Sequence, residues 1–320
     1  MSSWKSAWLK SPGPRTGPES FWLFLKGAAM GTADIIPGVS GGTVAFITGI
    51  YYALLEALTS FNLNALRAVI SGKLKEALET VHLRFLLVLG LGILTALVST
   101  ARLMHYLLEH HAVLTWSLFF GLITASVIFL GREIRDWQRG AVWLTAGILL
   151  GWSLTGMIPV RTPEESWFIF LCGMIAICAM ILPGISGSFI LLILGKYAFI
   201  TEALRNPFAE GSGLVLIIFA AGCAVGLIGF SRLLRYALAR HHELTMALLT
   251  GLMIGALRKV WPWKIVLETE LIRGKEYVLR EENMLPEMDS MLLLSLGVML
   301  LGFVLVFALE RVALARQRDK

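Results

Sequence analysis

Charged residues are scarce in this 320-residue chain: Asp, Glu, Lys and Arg together make up 16% of it. A soluble domain usually contains about 25% charged and about 45–50% apolar residues. Here 57% of the residues are apolar and the mean hydropathy is +0.74. Such a surplus cannot be hidden in a core, because a soluble globule also needs a solvated surface. The composition excludes a cytosolic enzyme, a disordered chain and a secreted disulfide scaffold, and it predicts a polytopic membrane protein.

The sequence also lacks the motifs of metal, cofactor and redox chemistry. Cys172, Cys178 and Cys223 lie in apolar segments without a CxxC pair, which indicates packing and neither a disulfide nor a metal site. Adjacent histidines on a helix do not face one site, so we interpret two pairs as interfacial loop residues, His110-His111 and His241-His242. No P-loop or HExxH motif is present. We therefore expect no metal, no cofactor, no nucleic-acid partner and no enzymatic activity.

Apolar segments alternate with short polar connections along most of the chain, and a helix needs about 20 residues to cross a membrane. Ten segments can be marked, at residues 21–35, 39–58, 85–108, 112–130, 141–159, 166–182, 185–204, 213–231, 243–257 and 290–310. Residues 62–80 are predicted to form an amphipathic surface helix. The polar stretch 258–289 is predicted to be the one sizeable extramembrane loop.

An internal duplication is the most informative feature of the sequence. Residues 33–58 match residues 179–204, with identities that include Pro37/Pro183, Gly38/Gly184, Ser40/Ser186, Gly41/Gly187, Gly49/Gly195, Tyr51/Tyr197 and Glu56/Glu202. A second block of matches includes Arg102/Arg232 and Tyr106/Tyr236. We predict an all-α polytopic membrane protein with two repeats, at residues 21–159 and 160–310. Each repeat is a Pro-Gly-broken re-entrant hairpin followed by three transmembrane helices.

The orientation of the repeats follows from counting membrane crossings. If each hairpin enters and leaves on one side, three crossings separate the two motifs, and the repeats have inverted topology. Basic residues collect in the segments that lie inside when both termini are cytoplasmic, as the positive-inside rule requires. We therefore expect residues 1–20 and the tail 311–320 in the cytoplasm. The loop 258–289 is the exception to the rule, because this arrangement places its six basic residues outside.

The two Pro-Gly motifs are the candidate binding sites. Proline lacks a backbone N–H and glycine weakens a helix, so the backbone is predicted to break at Pro37, Gly38, Pro183 and Gly184. The helix that follows each break presents free N–H groups and a positive dipole end, which favour an anion such as phosphate. The predicted phosphate contacts are Ser40, Gly41, Gly42, Thr43, Ser186, Gly187, Ser188, Arg102 and Arg232. The alternative is a packing kink, in which small residues only allow close helix contact.

Ionisable residues in or beside apolar segments are the other candidates, because each would be costly facing lipid. Guanidinium binds phosphate well, but Arg102 and Arg232 could instead snorkel to the headgroups. Proton coupling would need a carboxylate that titrates in the cavity. The candidates are Asp34, Glu56 and Glu202, and the two glutamates are preferred because the duplication keeps both. For Asp34 a salt bridge with Lys26 is the alternative, and for the two glutamates the alternative is simple solvation at a segment end.

The doubled Pro-Gly-x-Ser-Gly motif, each copy followed by Gly-x-Tyr, resembles the bacterial membrane family long described as domain of unknown function 368. The resemblance covers residues 20–310 approximately. It implies a translocase that returns undecaprenyl phosphate to the cytoplasmic leaflet of the bacterial inner membrane, for peptidoglycan and other cell-envelope synthesis. It also implies that undecaprenyl phosphate is the partner. Two alternatives stay open from the residues alone: a membrane enzyme that acts on a lipid phosphate, and a channel for a small anion.

Overall fold

The computed structural model describes residues 4–35, 39–160, 162–272 and 275–318, and these residues are mostly helical. In the first half the helices are α1 (Trp4–Lys10), α2 (Gly17–Ile35), α3 (Gly41–Ile47), α4 (Tyr51–Thr59), α5 (Leu63–Ile70), α6 (Leu74–Thr80), α7 (Leu83–Ser99), α8 (Ala101–His110), α9 (Ala112–Gly131) and α10 (Trp137–Thr155). In the second half the elements are α11 (Ser166–Ile181), α12 (Gly187–Ile193), α13 (Tyr197–Arg205), α14 (Ser212–Arg240), α15 (His242–Ala256), β1 (Lys264–Ile272), β2 (Lys275–Asn283) and α16 (Ser290–Arg318).

Several of these helices are long and apolar enough to cross a membrane. Among the described residues three helices meet this requirement alone: Ala112–Gly131, Ser212–Arg240 and Ser290–Ala308. Three sharply bent pairs meet it when each pair is counted as one span: α3 with α4, α6 with α7, and α12 with α13. The prediction of a helical, multi-pass membrane protein is therefore confirmed.

Two helical hairpins, α3–α4 (the first hairpin) and α12–α13 (the second hairpin), bend at the glycine of the repeated Gly-x-Tyr sequence. Gly49 and Gly195 have φ values of +71° and +64°, which a residue with a side chain rarely adopts. In the first hairpin Gly49 N donates to the Phe46 carbonyl, and the next residue's N–H donates to Ala45. These two bonds are a Schellman ending, which stops a helix and turns the chain. As a result α3 and α4 meet at 119°, and α12 and α13 at 115°.

The helices pack in corresponding pairs, two within the halves and two between them. Within the halves α2 packs on α7, and α11 packs on α14. Between the halves α9 packs on α16, and α10 packs on α15. The α10–α15 contact is a glycine seam, because a methyl group on Gly147 or Gly251 would collide with the backbone carbonyl of Leu248 or Leu144. Such close backbone contact is how helices associate in lipid.

The structure differs in detail from three predictions made from the sequence. The surface helix predicted at 62–80 is two short helices, α5 and α6. The single apolar segment at 85–108 is divided between α7 and α8 at Thr100, whereas its counterpart α14 is continuous. The loop 258–289 contains the antiparallel hairpin of β1 and β2, which is the exception to the all-α prediction. Charged residues follow one another too closely in this stretch for an alternating strand pattern to be visible.

A partly buried ion cluster anchors the β hairpin to the helices. The Glu281 carboxylate lies 2.8 Å from the Lys259 ammonium and 3.1 Å from the Lys264 ammonium, which also lies over the Trp116 ring of α9. Burial lowers the pKa of Lys264 to about 8, although Glu281 opposes this shift. Burial alone would raise the pKa of Glu281, but the two ammonium groups together hold it below its usual range. At neutral pH the cluster therefore contains two cations and one anion.

Replacing Glu281 tests this anchor. We expect Glu281→Gln to lower the free energy of unfolding by about 1.5–3 kcal/mol at pH 7, because charge-assisted hydrogen bonds are lost to buried lysines. The loss should shrink above pH 8, where Lys264 gives up its proton in the wild-type protein as well and its ion pair disappears. Thermal unfolding of the detergent-solubilised protein at several pH values measures both effects.

The matched control is Glu268→Gln, because Glu268 forms an exposed ion pair with Arg280 on the same hairpin. An exposed pair contributes at most about 1 kcal/mol. Equal losses in the two variants, or a Glu281→Gln loss that does not change with pH, would contradict the anchor.

Candidate substrate site

The backbone breaks of the two hairpins contact each other inside the protein. The Ser40 hydroxyl, fully buried, donates to the Leu182 carbonyl at 3.0 Å. In return the Gly184 N–H donates to the Thr43 hydroxyl at 3.0 Å. A methyl group on Gly42 would lie 2.7 Å from the Ile181 carbonyl, so only a glycine allows this approach. The structure therefore brings two motifs that are far apart in the sequence to one place.

Tyr51 adds a third hydrogen bond between the halves. Its side chain is 1% exposed and stacks on Phe46, with ring centroids 3.7 Å apart. Its hydroxyl donates to the Ile181 carbonyl at 3.1 Å. The last carbonyls of α11 have no partner within their own helix, and hydroxyl groups of the first hairpin satisfy them. The tyrosine of the repeated Gly-x-Tyr is thus part of the site, a role that its repetition in the sequence did not reveal.

The N-terminus of α3 already holds an anion from its own chain. The Ser40 hydroxyl accepts the Gly42 N–H at 3.1 Å, which is an N-cap. The Asp34 carboxylate accepts the Gly41 N–H at 2.7 Å. A methyl group on Gly41 would collide with this carboxylate, so the two groups are in direct contact. Asp34 occupies the position where the sequence predicts a phosphate at the first break.

The second break differs at the corresponding position. Met180 stands where the first half has Asp34, and a methyl group on Gly187 would collide with its side chain. Among the described residues no side chain caps the N-terminus of α12. The hydroxyls of Ser186 and Ser188 lie 2.7 Å apart, and Ser188 is partly exposed. The second break therefore has uncapped N–H groups and two adjacent hydroxyls, without a carboxylate.

The other predicted residues lie in different surroundings. Pro183 and Gly184 are buried at the second break, where Gly184 has a φ of +89°. Pro37 and Gly38 lie outside the described residues. Arg102 is exposed on α8, and Arg232 donates to the Phe61 carbonyl at 2.6 Å, beyond the end of α4. The structure does not bring either arginine to a break.

The three candidate carboxylates also lie in different surroundings. Glu56 on α4 and Glu202 on α13 are exposed, and only Asp34 contacts a break. Lys26, the proposed salt-bridge partner of Asp34, donates to the Thr48 carbonyl at 2.6 Å. The buried Lys196 donates to the Thr162 carbonyl at 2.7 Å. Both lysines thus hold loop or helix-end carbonyls inside the protein.

A polar cluster that sequence reasoning missed joins three elements beside the first hairpin. The Tyr52 hydroxyl lies 3.0 Å from His242 Nε2, which lies 3.8 Å from the Glu133 carboxylate. No spacing signal could reveal it, because its members come from three distant parts of the chain. Among the described residues no group of His, Cys, Asp or Glu side chains could hold a metal ion.

Comparison with known proteins identifies the family. The undecaprenyl phosphate translocase-like family matches residues 30–277. A protein of Vibrio cholerae named polyprenyl-phosphate transporter is 40% identical over 299 residues, which cover 91% of this chain and 96% of that protein. A protein of Staphylococcus aureus with the same name is 33% identical over 311 residues, with the same coverage. No solved structure matches the chain significantly.

The family description and both relatives' names refer to transport and not to an enzymatic reaction. The match covers both Pro-Gly motifs and most of the helices described above. The chain therefore belongs to the undecaprenyl phosphate translocase-like family of membrane transporters.

Proposed function

We propose that this protein returns undecaprenyl phosphate across the bacterial cytoplasmic membrane, so that the carrier lipid becomes available again for cell-envelope synthesis. The family and the names of its relatives supply the substrate class. The observation that carries the proposal is the direct contact between the two helix breaks. Transporters built from repeated halves place broken helices at the substrate site, where irregular backbone is tolerated only beside a cavity or inside protein.

The second break is the better candidate for the phosphate. At the first break Ser40, Gly41, Gly42 and Thr43 are all engaged with groups of the protein. At the second break the uncapped α12 N-terminus and the Ser186–Ser188 hydroxyl pair offer donors to an anion. We therefore assign the first phosphate contact to Ser186, Gly187 and Ser188. Arg102 and Arg232 remain predictions as contacts made elsewhere on the transport path.

Transport of polyprenyl phosphate by the purified protein in liposomes tests this function. We expect Ser188→Ala to reduce transport about ten- to a hundredfold, since a hydrogen bond to a charged group contributes about 1.5–3 kcal/mol. The matched control is Ser126→Ala, because among the described residues the Ser126 hydroxyl bonds to the Leu122 carbonyl of its own helix and to no other group. Wild-type protein that moves no lipid phosphate would refute the function. A Ser188→Ala variant as active as wild type would refute only the assigned contact.

The packing of helices from one half on helices from the other supports an inverted repeat with both termini in the cytoplasm. The α9–α16 and α10–α15 contacts correspond to each other under the duplication, as expected for two halves related by a pseudo-twofold axis. In this arrangement the hairpins enter from opposite faces, and the β1–β2 hairpin lies outside.

Cysteine labelling tests the inverted arrangement. In a variant whose three native cysteines are replaced, Asn62→Cys should react with a membrane-impermeant reagent only from the cytoplasmic side. Pro207→Cys should react only from the outside, because it follows the second hairpin. Reaction of both positions from the same face would exclude inverted repeats.

Proton coupling is the simplest way to drive this transport. Moving a lipid phosphate inward brings negative charge toward a negative cytoplasm, which costs about 2.3 kcal/mol per charge per 100 mV. Of the three candidate carboxylates, Asp34 is the one that contacts a break, where protonation would weaken its charge-assisted hydrogen bond with the Gly41 N–H. Glu56 and Glu202 remain candidates for proton uptake at the surface.

We expect an inward proton gradient to accelerate transport in wild-type liposomes and Asp34→Asn to abolish this acceleration. Asparagine keeps an oxygen that can accept the Gly41 N–H but carries no titratable proton, so binding should persist. Glu109→Gln is the matched control, because Glu109 is exposed on α8 and pairs with His105, and it should retain the response to the gradient. Wild-type transport that ignores the gradient would indicate passive movement, and a normal response in Asp34→Asn would exclude this carboxylate.

A further inference from the structure

A cavity of about 340 Å³ lies between the β hairpin and the helix ends beneath it. Its lining comes from four places: the segment 155–159 at the end of α10, Phe189 and Leu192 of α12, Arg258 and Lys259 after α15, and strand β2. Phe189 directly follows Ser188 in the chain. The cavity therefore adjoins the helix whose N-terminus forms the second break.

The charged residues that line the cavity include more cations than anions. Arg258, Lys259 and Arg280 line it together with one carboxylate, Glu281. That carboxylate is shared by Lys259 and by Lys264 behind the lining. Within the described part of the chain no carboxylate pairs with Arg258, whose guanidinium lies 4.6 Å from the Trp152 ring centroid. The local excess of positive charge is thus left for a ligand.

The two arginines suit a phosphate group in particular. A guanidinium offers two parallel N–H donors that match phosphate oxygens, and stacking on an aromatic ring holds its plane. The exposed Arg280 has one partner among the described residues, Glu268 at 3.7 Å, a separation too long for a hydrogen bond. Two planar donors therefore face the same space from different elements, one from the end of α15 and one from β2.

Part of the cavity lining is apolar. Phe189 and Leu192 form it together with Met157, Ile158 and Pro159. Met157 and Ile158 are each 50% exposed, so this wall continues onto the surface of the protein. A free phosphate would gain nothing from such a wall. A phosphate that carries a hydrocarbon chain would bury part of the chain there, at about 25 cal/mol per Å² of apolar area.

We propose that this cavity binds the phosphate headgroup of a polyprenyl phosphate before it reaches the second break, with Arg258 and Arg280 as the phosphate contacts. The inference rests on the proposed function, because the transport path supplies the ligand. In the inverted arrangement the cavity opens on the outer side, where the returning lipid starts. The β hairpin then has a role: its strand β2 holds one of the two arginines over the helix ends.

Binding measurements on the full-length protein in detergent test this proposal. The probes are a short-chain polyprenyl monophosphate and inorganic phosphate, each titrated into fluorescently labelled protein. We expect Arg258→Gln and Arg280→Gln each to weaken binding of the lipid phosphate about tenfold, and the double variant more. Inorganic phosphate should bind wild-type protein at least tenfold more weakly than the lipid phosphate. Arg205→Gln is the matched control, because Arg205 is an exposed arginine at the end of α13, outside the cavity.

Each outcome bears on a different claim. Variants that bind and transport lipid phosphate like wild type would overturn the cavity site while the proposed function stands. Equal affinity for the two probes, both lost in the variants, would make the cavity a site for free phosphate. Wild-type protein that neither binds nor transports the lipid would overturn the proposed function itself. Arg280→Gln keeps the test valid if Arg258→Gln disturbs folding, because Arg280 is exposed on the hairpin.

Discussion

A backbone N–H or C=O without a partner in its own helix needs one elsewhere in the protein or in a water-filled cavity at membrane depth, because hydrocarbon offers none. Here the carbonyls at the end of α11 meet this need through Ser40 and Tyr51, which belong to the other half of the chain. The N–H of Gly184 meets it through Thr43. Side chains of the first hairpin thus satisfy backbone groups of the second break. The position of the small residues and of the buried tyrosine depends on these contacts.

The two duplicated hairpins have a similar backbone, but the side chains at their helix N-termini differ in chemistry. Both hairpins end their first short helix at a glycine with positive φ and turn by a similar angle. Yet Asp34 contacts the helix N-terminus in one half, and Met180 contacts it in the other. A carboxylate and a thioether make these two helix ends respond differently to an anion and to a proton. Two copies of one backbone can therefore serve two different tasks in one transport cycle.

Much of this could be predicted from the sequence, because its signals are local or periodic. Apolar runs predicted the membrane helices, and the repeated Pro-Gly sequence predicted breaks whose causes lie in single residues. The bend at the glycine of Gly-x-Tyr was not predicted, although its cause is also a single residue. The contacts between the halves could not be predicted, since hydrogen bonds such as Tyr51 to Ile181 depend on tertiary packing. The β hairpin was missed because its strands are rich in charged residues. Arg232 stays a predicted phosphate contact, and the hydrogen bond that it donates to the Phe61 carbonyl could not be predicted from any sequence pattern.

The glycine seam between α10 and α15 has a consequence for biogenesis. The backbone carbonyls that Gly147 and Gly251 approach belong to the opposite helix, so neither surface is complete alone. Since α10 is synthesised well before α15, it leaves the ribosome without its partner. Its seam must stay in contact with lipid or with the insertion machinery until the second half has entered the membrane. Assembly of the first half therefore finishes only when the last helices arrive, and a chain truncated after α10 leaves this surface uncovered.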